Sequence, residues 1–287
     1  MKNARVKAQA KINLWLRILA REASGYHQID TLFCRLALAD DVVVRLTPGG
    51  RTIDCRGADV GPAERNLAFR AAVAYADLRA WPAGVAIEID KRIPVGGGLG
   101  GGSADAGAVL RALAALDPSP PPPAELLRLA GRLGADVPFL TSDAPLALAW
   151  GRGDQLLSLS PLPERPVVLY LPGFGINTAA AYGWVAAARG DAVAPARQIP
   201  RDAMTSWDAL APYSVNDFEP AVGAHHPEIP AALARLQALD SAILARMSGS
   251  GSTLFAVLAA PIPVSLPPGG TTVLTTSATM VEPVRID

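Results

Sequence analysis

Several groups of residues in this chain have the types and spacing to handle a phosphorylated ligand. The first is Pro94-Val95-Gly96-Gly97-Gly98-Leu99-Gly100-Gly101-Gly102-Ser103-Ala104, with six glycines in eleven positions. Such a loop lets backbone amides approach a ligand with no Cβ in the way. Where a helix follows, its N-terminal amides face an anion. The second group is Lys11 and Asn13, two apart in an alternating segment, so that an ammonium and a carboxamide project from one side and can hold and polarise an oxygen. The alternative for that pair is a solvated strand face. Asp136, in Leu133-Gly134-Ala135-Asp136-Val137-Pro138, reads on spacing alone as a helix N-cap. Gly25-Tyr26-His27 offers a turn with an aromatic platform and a hydrogen-bonding ring. Ser248-Gly249-Ser250-Gly251-Ser252 is either a tight turn or a second cradle for phosphate or substrate.

Two familiar phosphate loops do not account for residues 94–104. A Walker A loop ends in Gly-Lys-Ser/Thr, and here Gly102 stands directly before Ser103 with no lysine. Gly96 to Gly101 satisfies GxGxxG, and Asp117 lies about the expected distance on. In a dinucleotide fold, however, the helix should lead to a second strand ending in that acid. Asp117 instead opens Pro118-Ser119-Pro120-Pro121-Pro122-Pro123, which holds no strand. A nicotinamide-dependent dehydrogenase is thereby disfavoured.

The elements that must position these residues read as follows. Strands are expected over 6–19, 29–38, 42–46 and 85–91, and a helix over 66–80. A helix over 103–116 is expected to take Ser103 as its cap and to carry Asp105 in its first turn, beside the positive end of the dipole. A helix over 124–133 closes at Gly134. Strands at 145–150 and 156–160 end the first half. The second half offers a strand at 166–171, helices at 178–188, 202–210 and 228–239, and strands at 243–245, 253–258 and 271–275. Mixed strands and helices in two halves, divided near Pro161, predict an α+β fold.

Composition narrows the function classes. The chain has 287 residues, 50% of them hydrophobic, enough for a large buried core. Formal net charge is zero, with acids and bases interspersed, so no electrostatic footprint for nucleic acid or a membrane surface appears. Cys34 and Cys55 are too few for a disulfide framework or zinc site, and His27, His225 and His226 lack ligand spacing. No apolar run of about eighteen residues exists for a membrane span. Lys11 and Arg17 interrupt the stretch that could pass for a signal sequence. The expectation is a cytoplasmic protein.

Taken together, the motifs resemble the GHMP small-molecule kinase superfamily. The resemblance rests on Ala10-Lys11-Ile12-Asn13-Leu14, on Pro94 to Ala104 and on Ser248-Gly249-Ser250-Gly251. Gly25-Tyr26-His27, Leu133 to Pro138 and Asn216-Asp217-Phe218-Glu219 narrow it to the branch that phosphorylates 4-diphosphocytidyl-2-C-methyl-D-erythritol. The resemblance implies a two-domain fold, residues 1–160 binding ATP and residues 161–287 forming the C-terminal domain, with the active site in the cleft between them. It implies catalytic roles for Lys11 and Asp136. ATP would be held by Asn66 and by Pro94, Val95, Gly96, Gly97, Gly98, Leu99, Gly100, Gly101, Gly102, Ser103 and Ala104, with Mg²⁺ shared. Asn13, Tyr26, His27 and Tyr182 would bind the cytidyl substrate, the cytosine lying between Tyr26 and Tyr182. Kinases of the mevalonate or homoserine type, and a non-catalytic nucleotide-binding relative, are the alternatives.

Overall fold

The computed structural model describes residues 2–21, 27–190, 197–263 and 269–287. Its first strand, β1 (Asn3–Arg21), pairs antiparallel along nearly its whole length with β2 (His27–Thr47). Beyond β2 the sheet forks. β4 (Gly84–Asp90) pairs with residues 41–47, while β5 (Leu146–Gly151) pairs with residues 29–34. β3 (Gly50–Arg56) lies parallel to β4, and β6 (Gln155–Leu159) completes a hairpin with β5.

β2 is one strand where the sequence predicts two. The gap between the two expected strands includes Asp40 and Asp41, and a carboxylate in mid-strand is costly without partners. Asp40 has them. Its Oδ1 accepts from the Arg92 and Ile93 amides at 2.5 and 2.7 Å, and Oδ2 takes the Lys91 ammonium at 2.5 Å. The strand therefore runs through a fully buried acid. β3 goes unpredicted because its Gly-Arg-Thr-Ile-Asp-Cys-Arg sequence is mostly polar, as befits an exposed edge strand.

Helices α1 (Leu67–Arg79) and α2 (Gly101–Leu116) pack on this sheet. α2 starts earlier than predicted: Gly100, in the left-handed region, is its N-cap and Ser103 lies inside the first turn. Asp105 does not serve the dipole from the surface. It is buried, with Oδ2 2.7 Å from Lys91 Nζ and Oδ1 without a partner. α3 (Pro123–Leu133) leads to the short α4 (Val137–Thr141). α4 presses directly on α2 at Gly107, where a Cβ would stand 2.6 Å from the Leu140 carbonyl carbon and oxygen. The buried Arg35 holds the other end of α4, donating to the carbonyls of Phe139 at 2.7 Å, Ser142 at 2.8 Å and Ala144 at 3.0 Å. The guanidinium thus fastens the end of α4 to its C-cap, Ser142, and to Ala144 beyond it.

The second sheet has the order β10-β7-β9-β8, from β7 (Pro166–Leu171), β8 (Ala242–Met247), β9 (Leu254–Leu258) and β10 (Thr271–Thr276). α5 (Thr178–Arg189), α7 (Glu219–His225) and α8 (Glu228–Gln237) accompany it. The helix expected over 202–210 is a short 3₁₀ turn at 201–204 followed by α6 (Trp207–Leu210), capped by Ser206. The chain's last strand, β11 (Arg285–Ile286), returns to pair with Ala4 and Arg5 of β1. One apolar core gathers residues of β1, β2, β4 and α2 together with Leu169, Phe255 and Val257; a second joins Leu16, Ile18 and Ile29 to α5, α7 and α8. The strand that carries Lys11 is thus held by both halves of the chain.

Candidate active site

β-bulges interrupt β1 on both sides of Lys11 and Asn13, between Gln9 and Lys11 and between Asn13 and Trp15. Bulges re-aim side chains, and here both polar side chains enter the interior, 3% and 2% exposed. The solvated-face alternative is excluded. Lys11 Nζ donates to Asn13 Oδ1 at 2.7 Å and lies 3.3 Å from Asp136 Oδ2. Asn13 Nδ2 donates to Thr31 Oγ1 at 2.8 Å, whose hydroxyl donates to the Trp15 carbonyl at 2.6 Å. The lysine ammonium also stands 5.4 Å above the centre of the Phe33 ring. Nothing in this arrangement is left to swing freely.

Asp136 occupies the residue before α4 but does not cap it. Its backbone is helical and its side chain makes no capping bond. The carboxylate, about one-third exposed, faces Lys11 and open space instead. A local pattern is overridden by a distant partner.

The glycine loop is tied to its surroundings by backbone bonds. The Leu99 carbonyl accepts from the Lys11 amide at 3.0 Å, the Gly97 carbonyl from the Thr253 amide at 3.2 Å, and the Gly98 carbonyl from Ser248 Oγ at 2.9 Å. The late glycine-serine turn therefore sits on the glycine loop, which favours its reading as part of the site. The fit requires glycine at position 98. There φ is +77°, and a Cβ would run into the Ser248 carbonyl oxygen, 3.1 Å from its carbon and 3.2 Å from the Gly251 oxygen.

Two clefts meet beneath this loop. The smaller, about 380 Å³, is lined by Asn66, Leu67, Lys91, Asp105 and residues 93–103. Asn66 Oδ1 caps α1 by accepting from the Ala68 amide at 2.9 Å. Ala104 belongs to neither cleft; it is buried in α2. The larger cleft, about 700 Å³, is lined by Lys11, Asn13, His27, Tyr182, Phe218 and Gly249, among others. Gly98, Ser103 and Asp136 line both. The smaller cleft has a glycine loop at a helix N-terminus on its wall, an arrangement that suits an anion. The other is larger and aromatic.

In the larger cleft the His27 ring stacks on Tyr182, centroids 4.4 Å apart and planes 11° apart, and Tyr182 meets Phe218 edge-on at 4.8 Å. His27 thus offers a stacking face as well as polar atoms. Tyr26 lies outside the described residues. Burial, with a smaller contribution from Asp136, pushes the Tyr182 hydroxyl up to about 12, so the ring stays neutral. Sequence reasoning missed Thr178, whose hydroxyl meets that of Ser250, in the glycine-serine turn, at 2.9 Å on the wall of this cleft. No local signal marks Thr178. It also missed Lys91, which lines the smaller cleft from the buried cluster with Asp40 and Asp105.

The chain matches the GHMP kinases N terminal domain over residues 66–144 and the GHMP kinases C terminal domain over residues 196–261. It is 38% identical over 257 residues to 4-diphosphocytidyl-2-C-methyl-D-erythritol kinase of Desulfotalea psychrophila, covering 88% of this chain and 84% of that protein. The enzyme of the same name from Moorella thermoacetica is 38% identical over 264 residues, with 88% and 89% covered. A crystal structure of 4-(cytidine 5'-diphospho)-2C-methyl-D-erythritol kinase superposes with a TM-score of 0.75 at 35% identity, over 95% of this chain and 98% of that one. A homoserine kinase from Cytophaga hutchinsonii, at 15% identity and a TM-score of 0.68, shares the fold alone.

Proposed function

The chain belongs to the GHMP kinases and, within them, to the family of 4-diphosphocytidyl-2-C-methyl-D-erythritol kinases; on that premise we propose that it moves the γ-phosphoryl group of ATP across the junction of its two clefts to the 2-hydroxyl of 4-diphosphocytidyl-2-C-methyl-D-erythritol. The observation that carries the reading is the junction itself. Gly98, Ser103 and Asp136 line both clefts, and the Lys11 ammonium stands beside Asp136. A donor and an acceptor seated in the two spaces would meet at that carboxylate. The relatives' names favour this acceptor over mevalonate or homoserine.

In this reading Asp136 takes the proton of the attacking hydroxyl, and Lys11, 3.3 Å from it, offsets charge on the attacking oxygen. Asn13 fixes the ammonium through its 2.7 Å bond. Residues 96–103 present amides to the phosphates, and Asn66, which also lines the smaller cleft, would lie beside the base. Phosphoryl transfer asks a protein chiefly for such positioning and charge. His27 and Tyr182 receive the cytosine ring. Residues 1–160 would form the nucleotide-binding domain, with 161–287 closing the acceptor side through Tyr182 and Gly249. A cytoplasmic setting, where ATP is supplied, suits this chemistry.

A magnesium ion fits the junction. Ser103 and Asp136 supply oxygen donors there, and this ion keeps most of its ligands as phosphate and water. Among the described residues no cluster of three His, Cys, Asp or Glu side chains could cage a metal unaided. When bound, the ion neutralises phosphate charge.

Replacing Asp136 by Asn, or Lys11 by Ala, tests the assignment. Each should lower kcat on the order of a hundredfold or more while ATP affinity and thermal stability change little, because their work lies in the transition state. A normal kcat in Asp136→Asn removes the proton-accepting role.

A further inference from the structure

The segment Asn216-Asp217-Phe218-Glu219 lies between the two halves of the site. On one side it pairs alongside β1, the strand that carries Lys11, through a parallel bridge between Leu16 and Asn216. The Leu16 amide donates to the Val215 carbonyl at 2.8 Å, the Asp217 amide to the Leu16 carbonyl at 2.9 Å, and the Ile18 amide to Asp217 Oδ2 at 2.9 Å. On the other side it grips the glycine-serine turn. Asn216, 4% exposed, donates from Nδ2 to the carbonyls of Met247 at 2.7 Å and Gly249 at 2.8 Å, while Oδ1 accepts from the Phe218 amide at 2.9 Å. Glu219 Oε1 accepts from the Met247 amide at 2.8 Å.

What this grip controls lies one residue further on. Ser248 Oγ holds the Gly98 carbonyl, and a Cβ on Gly249 would be 3.5 Å from Lys11 Nζ and 3.7 Å from Asn13 Oδ1. The next residue of the segment after Asp217, Phe218, meets the Tyr182 ring edge-on. A single carboxamide therefore ties the acceptor's aromatic wall, the turn beside the catalytic lysine and the phosphate loop.

We propose that Asn216 is a positioning residue for phosphoryl transfer, setting the Met247–Gly249 turn against the phosphate loop and Lys11 so that donor and acceptor are held in register. The inference rests on the two-cleft reading above. It follows from chemistry that only a side chain with two N–H donors and an acceptor can meet three backbone partners at once. Asp at this position keeps the shape and the bond from Phe218 but aims an oxygen at two carbonyl oxygens, so the turn must retreat. A misplacement of about 1 Å at such a junction can cost on the order of a hundredfold in rate.

The test is a mutant cycle in the full chain, with ATP and the cytidyl acceptor as substrates. Asn216→Asp should lower kcat by roughly ten- to a hundredfold and raise KM for ATP severalfold. Ser248→Ala should raise KM for ATP about threefold with a smaller effect on kcat, as expected for one lost hydrogen bond. The double variant should be no worse than Asn216→Asp alone, because the hydroxyl has already lost its place. Should Asn216→Asp fail to fold, Glu219→Ala, which removes the other tether, should show the same pattern more mildly, and Glu219→Gln should restore it. Effects that multiply in the double variant, or a folded Asn216→Asp or Glu219→Ala protein with unaltered kcat and KM, overturn the proposal. A wild-type chain that releases no ADP with the cytidyl acceptor fails the two-cleft reading instead, and the proposal with it.

Discussion

Replacing Gly98 by Ala should damage nucleotide binding and stability together. The native φ of +77° places an alanine in the left-handed region, at a cost of about 1–2 kcal/mol. The new methyl would also collide with the Ser248 carbonyl, so the turn at 248–252 must lift from the loop. Lifting breaks the bond from Ser248 Oγ to Gly98 and the bond from the Thr253 amide to Gly97, each worth about 1 kcal/mol net. The sum, about 3–4 kcal/mol, is a large part of a typical 5–15 kcal/mol stability and should leave a folded but weakened protein. Denaturant titration measures that loss. Calorimetric titration with a non-hydrolysable ATP analogue should show affinity at least tenfold lower, since a loop so displaced no longer aims its amides at phosphate. Gly102→Ala is the internal control for stability: it lies in the first turn of α2, and outside that helix a Cβ there would meet only Leu67 Cδ1, 3.9 Å away. It should gain up to about 1 kcal/mol of stability from helix propensity. If Gly98→Ala loses stability but binds the analogue as wild type does, residues 96–102 are a structural turn and the donor cleft is misassigned.

Tyr182→Ala removes the ring on which His27 stacks and should raise KM for the cytidyl acceptor strongly while leaving KM for ATP nearly unchanged; stacking on a base is worth about 1–3 kcal/mol. Equal shifts in both KM values would contradict the division into two clefts. Asp105 carries a pH dependence. Burial pushes its carboxyl up to about 7, against the pull of Lys91 and aided by Asp40. The folded chain therefore holds this proton more tightly than the unfolded chain does, and the group's contribution to stability is lost as pH rises from about 4 through 7. Asp105→Asn cannot titrate, so urea midpoints measured at pH 5 and pH 8 should shift in the variant's favour as pH rises. Parallel midpoints would show that Asp105 does not change charge in this range.

The parts of the site legible in the sequence are those that local pattern fixes. Alternation along β1 placed Lys11 and Asn13 on one side, and the glycine run before a helical period placed the loop at the start of α2. Burial of that pair was not legible, because α4 and the turn at 248–252 arrive from far along the chain. For the same reason Asp136 reads as a cap: the motif is local and its partner, Lys11, is not. Asp40 shows the converse error. A carboxylate in the gap between two expected strands is satisfied by two amides and an ammonium contributed by residues 91–93. The segment 216–219 carries a recognisable pattern, but its work became visible only with the Met247–Gly249 turn beside it.

The most direct measurement is ADP formation by the purified chain with ATP and one acceptor at a time. The account predicts rapid release with 4-diphosphocytidyl-2-C-methyl-D-erythritol and little with methylerythritol phosphate lacking the cytidyl group, with mevalonate or with homoserine. Equal turnover of the acceptor without its cytidyl group would contradict the role given to His27 and Tyr182, and no turnover of the cytidyl acceptor would contradict the account at its centre.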